Sequence, residues 1–373
     1  MNKPAFCFPA FKRLCVLISA ACWIIAAGCS EEMLDTIADA IHDKVLTVDS
    51  HVDTPLLMNY TDFDPGVRHD ETGTQVDYPR MKEGGLDAAF FAVFVWQGPR
   101  TPEGNENAKQ QALKTLDVIN NNLAKYPDLA ELALTPDDAY RIEKEGRRAI
   151  FIGMENGYLI GSDISLIREF YGRGVRYITL CHSKNNDICD SSTDPEGPEH
   201  DGLSDFGMQV VAEMNRLGMM VDISHTSDET VRDVLEVSTA PIIASHSSAR
   251  AVYDHPRNLP DELLEKIADK GGVIQATIEY VRSHDSYDRT ELPTVAEFVD
   301  HIDHIVQVAG IDHAGIGTDF DGGGELADCY DVSEMGNITR ELVKRGYTAR
   351  QIEKIWGGNL MRVFRQVQSA AEE

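Results

Sequence analysis

Positive charge is scarce in this sequence: 34 Lys and Arg stand against 62 Asp and Glu among 373 residues, a formal net charge of −28. Phosphate backbones repel so acidic a chain, which argues against a nucleic-acid partner and against membrane attachment through a basic face. Cysteine is sparse as well. Beyond Cys29 only Cys181, Cys189 and Cys329 remain, with no Cys-x-x-Cys spacing. Three thiols cannot build a full disulfide framework, although two could pair in an exported protein, and no zinc knuckle is suggested. No Gly-x-Gly-x-x-Gly fingerprint follows the first apolar run, which removes the usual mark of a dinucleotide site. Low-complexity tracts and internal domain boundaries are also missing, and hydrophobic residues at 42% suffice for one large core or two ordinary ones.

The first 28 residues stand apart from the fold. Lys3, Lys12 and Arg13 precede an apolar run at residues 14–27, about the length of a signal-peptide core and short of the roughly 20 residues that a spanning helix needs. The run ends in Ala26-Ala27-Gly28-Cys29, which resembles a bacterial lipobox with Ala26 where a larger aliphatic is usual. On this reading residues 1–28 are cleaved and Cys29 is lipidated, so the chain is exported and anchored to the cell envelope. An ordinary cleaved signal peptide with an incidental Cys29 is the alternative. Glu31 and Glu32 resemble the acidic tags of surface-exposed lipoproteins. Loss of residues 1–28 removes three basic and no acidic side chains, moving the charge from −28 to −31.

What is present is a repeated pattern. Short apolar runs at residues 45–48, 88–95, 149–153, 177–180, 219–223, 241–244, 273–278 and 314–317 each lead into a polar or Gly-rich junction. They are nearly continuous and do not alternate, which suits parallel strands covered on both faces. Helical stretches fall between them at 105–125, 204–217, 228–237, 261–270 and 295–308, with capping signals at Ser227 and Pro260-Asp261-Glu262. Residues 62–79 read as a long loop over the mouth and 347–367 as a closing helix. Eight strand–helix units predict a (β/α)8 TIM barrel of the metal-dependent hydrolase type, as one domain over 29–373. An open doubly wound sheet would share the alternation, but candidate functional residues follow most of the strands, which suits a closed ring.

Those residues carry the chemistry. In extended backbone His51 and Asp53, two apart, point to one side. Glu155 ends the third run, His225 the fifth and His246 the sixth. An ionisable group at such a strand end is costly to desolvate unless paired or ligated. For any one of them a simple hydrogen-bonded strand-end residue is as good a reading; several together are hard to obtain from an inert scaffold. Imidazole and carboxylate suit zinc and its neighbours, and five ligands exceed what one catalytic zinc takes. They predict two zinc ions bridged by Glu155 and a water or hydroxide. His182 and Asp319 follow the fourth and eighth runs, where Asp319 could move a proton to the leaving group and His182 could donate to the oxyanion. The alternatives are a turn residue for Asp319 and a buried packing His for His182. His255, His284, His301, His304 and His313 read as surface or packing residues.

These motifs resemble the membrane (renal-type) dipeptidases. The match runs through Asp49-Ser50-His51-Val52-Asp53, Gly153-Met154-Glu155-Asn156-Gly157, Gly174 to Leu180, Asp222-Ile223-Ser224-His225, Ser245-His246-Ser247-Ser248-Ala249, Arg257-Asn258-Leu259-Pro260-Asp261 and Asp319-Phe320-Asp321-Gly322. It implies a TIM barrel with two zinc ions, one on His51 and Asp53, the other on His225 and His246, with Glu155 between them. It further implies that His182 and Asp319 touch the reacting groups and that Arg257 grips a dipeptide's C-terminal carboxylate, for which an Arg fork is suited. A salt bridge from Arg257 to Asp254 or Asp261 is the alternative. The family's substrate-contacting Tyr has no counterpart in register; Tyr280 is offset from it. Such sites can accept a D-residue at the C-terminal position. The expected partners are therefore a dipeptide and, through the lipid, a membrane, with a homodimer left open. Two rivals remain. Other amide hydrolases on this scaffold use His-x-His and a carboxylated Lys, which His51-Val52-Asp53 and Glu155 disfavour. A metal- or solute-binding lipoprotein without turnover would need neither Asp319 nor His182.

Overall fold

Eight parallel strands succeed one another around a ring. The computed structural model describes residues 31–70, 73–282 and 291–371. Among them lie β1 (Val48–Val52), β2 (Ala88–Phe94), β3 (Ala130–Leu132), β4 (Arg148–Glu155), β5 (Val175–Thr179), β6 (Met220–Asp222), β7 (Ile243–Ala244), β8 (Val273–Ala276) and β9 (Ala314–Ile316). The order is β1-β2-β4-β5-β6-β7-β8-β9. The ring closes where Val52 bridges Phe320 in parallel, with Asp53 N–H donating to the Phe320 carbonyl at 2.8 Å and Asp319 N–H to that of His51 at 3.1 Å. The fold is the expected (β/α)8 barrel. β3 is an addition that the sequence pattern did not reveal. Its three residues, with Glu131 in the middle, pair only with the start of β4.

The barrel has two apolar layers, which explains why the runs are continuous. Val48, Phe90, Phe151, Tyr177, Met220, Ile243 and Val273 face inward and meet Leu360, Met361 and Phe364. Phe90 stacks on Phe151 and Tyr177 at 4.6 and 5.4 Å, and Phe364 sets its edge against Phe151 at 5.7 Å. The helix Asn359–Ser369 thus plugs the N-terminal end of the barrel. Phe91, Ile150, Ile152 and Ile178 face outward to the helices. The closing helix expected at 347–367 is interrupted. Ala349–Glu353 passes through a π-helical turn at Lys354–Gly358 into Asn359–Ser369, and Trp356 in that turn donates to Thr339 Oγ1 at 2.8 Å.

The helices Pro102–Lys125, Asp205–Leu217, Asp228–Val237, Asp261–Asp269 and Val295–Ala309 lie where expected, to within three residues at either end. Thr101, accepting from Gly104 N–H, starts the first of them earlier. β1 departs more, at 48–52 instead of 45–48, because its polar residues are satisfied in the interior. Asp49 accepts from Thr318 N–H and Oγ1 at 3.0 and 2.6 Å, and Ser50 donates to the Ser245 carbonyl at 2.6 Å. The loop expected at 62–79 leads into a helix at Tyr78–Glu83. It is pinned over the end of β9 by Gln75, whose N–H donates to Asp321 at 2.6 Å and whose side chain donates to the Gly324 carbonyl at 2.8 Å. The expected leader and Cys29 lie outside the described residues. Among the described residues no helix is long and apolar enough to cross a membrane.

Candidate metal centre

A bulge in β1 turns His51 into the barrel. Asp49 pairs with Ala89 but Val52 with Phe91, so β1 carries one residue more than β2 across that interval, an irregularity that re-aims side chains. His51 Nδ1 lies 2.8 Å from the Tyr177 hydroxyl, which donates to the Ser50 carbonyl at 3.1 Å. The phenolic oxygen is therefore left to accept the Nδ1 proton, and Nε2 presents its lone pair to the site. Gly153 makes room for this tyrosine, since a Cβ there would stand 2.0 Å from the ring. Glu155, on the same face of β4 two residues further on, rises above it. Asp53 sits at the N-cap of Thr54–Tyr60 without capping it, and its Oδ2 lies 3.5 Å from His51 Nε2. Beyond β7, His246 Nδ1 lies 2.7 Å from Ser245 Oγ, which donates to Asp222 at 2.6 Å. This relay likewise leaves His246 Nε2 free to face inward.

Glu155 divides the cluster in two. One oxygen, Oε2, lies 3.6 Å from His51 Nε2. The other, Oε1, lies 3.0 Å from His225 Nε2, 3.5 Å from His246 Nε2 and 3.8 Å from His182 Nε2. Two overlapping sets around Glu155, with His51 and His246 or with His182 and His225, and a third of His51, Asp53 and Asp319 are compact enough to hold an ion. The donor set fits divalent metal on two further counts. His51 Nε2 and Asp53 Oδ1 are buried with no hydrogen-bond partner, a costly state that a cation relieves. His225 Nε2 and His246 Nε2 face each other at 2.8 Å, and a cation between two lone pairs binds both.

The electrostatics follow from burial and from this crowding. Burial, then the Arg257 charge, hold His225 well below the usual imidazole range; burial and then His51 do so for His246. Both are thus the neutral, ligating form. For Glu155 burial acts upward, but the His51 and His182 charges and hydrogen bonds from His225 and His246 draw its carboxyl well below the ordinary value. Before any ion binds, His51 is raised well above its usual value; burial opposes this, and the Tyr177 oxygen and the Glu155 charge outweigh it. A metal taking the Nε2 lone pair would displace the added proton. Asp53 is raised by burial and the Glu155 charge, and Asp319 is raised strongly by burial and then by Glu279.

Asp319, His182 and Arg257, the other site candidates from the sequence, come to this mouth as well. Asp319 Oδ1 lies 3.9 Å from His51 Nε2. His182, whose side chain is 27% exposed, is the most open of the group, and its ring lies 4.8 Å from Phe94, edge to face. Arg257 is buried. It donates to the His246 carbonyl at 3.1 Å, while its Nε has no partner. It forms no ion pair among the described residues; Asp261 instead meets His304 at 2.7 Å. Asn156, His225 and Asp319 have φ of 81°, 70° and 65°, a region that non-glycine residues rarely adopt and that concentrates at functional sites. Gly322 is held close, since a Cβ there would lie 2.2 Å from Asp53 Oδ2 and 2.4 Å from Asp319 Oδ1.

The supporting groups Tyr177, Ser245 and Asp222 were not assigned roles from sequence. Asp222 gave the one available signal, a carboxylate inside an apolar run; it accepts from Thr179 Oγ1 at 2.5 Å and from Ser245 N–H at 2.8 Å. The other described histidines named from the sequence behave as packing or surface groups. His301 takes Ala249 N–H at 3.1 Å and meets the Val281 carbonyl at 3.0 Å, and His313 meets the Gly272 carbonyl at 2.7 Å. His255 stacks on Tyr280 at 4.3 Å, and His284 lies outside the described residues. Cys181, Cys189 and Cys329 are buried free thiols.

Comparison with known proteins agrees with this picture. The membrane dipeptidase family (peptidase family M19) matches residues 36–373. Dipeptidase tcpJ of Claviceps purpurea is 36% identical over 329 residues, spanning 85% of this chain and 75% of its own. The crystal structure of the probable dipeptidase PvdM from Pseudomonas aeruginosa superposes with a TM-score of 0.84 at 31% identity, covering 91% of this chain and 100% of that one. A dipeptidase AC, a metallopeptidase of family M19, has a TM-score of 0.76 at 26% identity over 87% and 99% of the two chains.

Proposed function

The chain belongs to the membrane dipeptidase family, peptidase family M19, and on that premise we propose that it is a two-zinc dipeptidase. Hydrolysis of dipeptides at a metal centre is the activity that the family carries. One zinc would be held by His51 and Asp53 and the other by His225 and His246, with Glu155 shared between them. The observation that carries this reading is the division of Glu155, with Oε2 toward His51 and Oε1 toward His225 and His246. When bound, the ions supply a nucleophilic water at neutral pH and polarise the carbonyl.

The protein's own groups do the rest. Arg257, unpaired with any carboxylate of the described residues, receives the C-terminal carboxylate of the substrate as a charge-assisted bond. A carboxylate one residue beyond the scissile bond sets the length at a dipeptide. His182, partly exposed beside Glu155, donates to the carbonyl oxygen as charge develops on it. Asp319, 3.9 Å from His51 Nε2, takes a proton from the attacking water and passes it to the departing amine. The test is release of free amino acids from L,L and L,D dipeptides with and without chelator. Chelator-sensitive release is expected; cleavage of N-acyl amino acids alone would point to another amide hydrolase.

We propose also that residues 1–28 are a leader and that Cys29 carries lipid, giving an exported, envelope-anchored enzyme with residues 29–373 as one domain. The basic start, the apolar run at 14–27 and Ala26-Ala27-Gly28-Cys29 support it. Inhibiting lipoprotein signal peptidase in the producing cell should accumulate precursor; normal maturation would refute the anchor.

A further inference from the structure

The ring order places one more carboxylate at the mouth. Glu279 lies three residues past the end of β8, between the loop after β7, which carries Arg257, and the loop after β9, which carries Asp319. A Cβ on Gly323 would stand 3.1 Å from Glu279 Oε1, and one on the preceding Gly322 would stand 2.4 Å from Asp319 Oδ1. Two adjacent glycines thus lie against the two carboxylates in turn, which makes Glu279 the neighbour of Asp319 along the rim. After burial, the Glu279 charge is the next cause that raises the Asp319 carboxyl.

Among the described residues Glu279 has no cation of its own. No Lys, Arg or His pairs with it among the described residues; Arg282, three residues on, meets Glu297 at 2.9 Å. Arg257 directs its donors to the His246 carbonyl and, at 3.5 Å, to Ser247. The half-buried Glu279 carboxylate repels its neighbour Asp319, and positive charge arriving beside it relieves that repulsion.

We propose that Glu279 selects dipeptides whose C-terminal residue has a cationic side chain. The proposal rests on the dipeptidase reading, in which the leaving nitrogen faces Asp319 and the substrate carboxylate faces Arg257. The C-terminal residue then spans the interval between those two groups, and its side chain is the part of the substrate nearest Glu279. An ammonium or guanidinium there forms an ion pair at a partly solvated rim, an advantage of about fivefold in kcat/KM at low ionic strength that shrinks as salt is added.

The experiment compares kcat/KM for Ala-Lys and the length-matched Ala-Met, with the zinc-loaded wild type, Glu279→Gln and Glu279→Arg. The wild type should favour Ala-Lys by about fivefold, with a ratio near one in Glu279→Gln. Glu279→Arg should favour Ala-Glu over Ala-Lys. Equal use of Ala-Lys and Ala-Met by the wild type, or an unchanged ratio in Glu279→Gln, would overturn the assignment while leaving the dipeptidase reading intact. Failure of the wild type to cleave any of these dipeptides would overturn both.

Discussion

Tyr177 illustrates how a residue remote from the substrate governs the centre. Its hydroxyl fixes the His51 ring at 2.8 Å, and its own proton goes to the Ser50 carbonyl. Tyr177→Phe removes the oxygen and keeps the ring that packs on Phe90. Metal affinity should fall by about 10- to 100-fold, the usual effect of losing such a partner, and titration against a competing chelator would measure it. Unchanged affinity would mean that His51 is oriented by the bulge alone. The ligand candidates were legible in the sequence because His51, Glu155, His225 and His246 interrupt or end apolar runs, where an ionisable group needs a reason. Tyr177 was not legible. Inside an apolar run it reads as core, and only closure of the barrel brings it to a histidine 126 positions away.

At the level of elements, strands and long helices were legible for a physical reason: both faces of each strand are buried, so the runs are continuous. Shorter pieces such as Thr54–Tyr60 and Ser165–Gly172 are too brief for a helical period to emerge. The polar half of β1 was read as junction because its hydrogen bonds to Thr318 and Ser245 are long-range. The loop over the mouth is fastened at its other side by Asp64, which binds Lys125 at 2.6 Å, Tyr126 at 2.7 Å and Asn122 at 2.9 Å. Burial pushes the Asp64 carboxyl up, but bonds from Lys125, Tyr126, the Gly66 amide and Asn122 hold it at about 2, below the ordinary aspartate value. A carboxyl depressed in the folded state stabilises the fold above the unfolded value, and that contribution is lost as pH falls from about 4 toward 2. Asp64→Asn should therefore melt about 1–3 °C below the wild type at pH 7, with the gap closing as pH approaches 2. A gap independent of pH would remove the carboxylate from the explanation.

Across the whole molecule, one barrel gathers residues from position 51 to position 319 at its C-terminal end while Phe364 and its neighbours close the other. The arrangement explains why the chemistry could be read from strand ends and the substrate could not. Strand ends place the ligand candidates, whereas Arg257, Glu279 and Asp319, beyond them, are proposed to shape what binds. The net charge of −28 acts at this scale too, since its field disfavours polyanions and favours cations approaching the mouth. The central claim is that Glu155 joins two ions, and counting bound metal per chain by plasma mass spectrometry tests it most directly. The account predicts two zinc ions in the wild type and fewer than one in Glu155→Ala, with the variant still folded by circular dichroism. A single ion in the wild type, or two retained by Glu155→Ala, would contradict it.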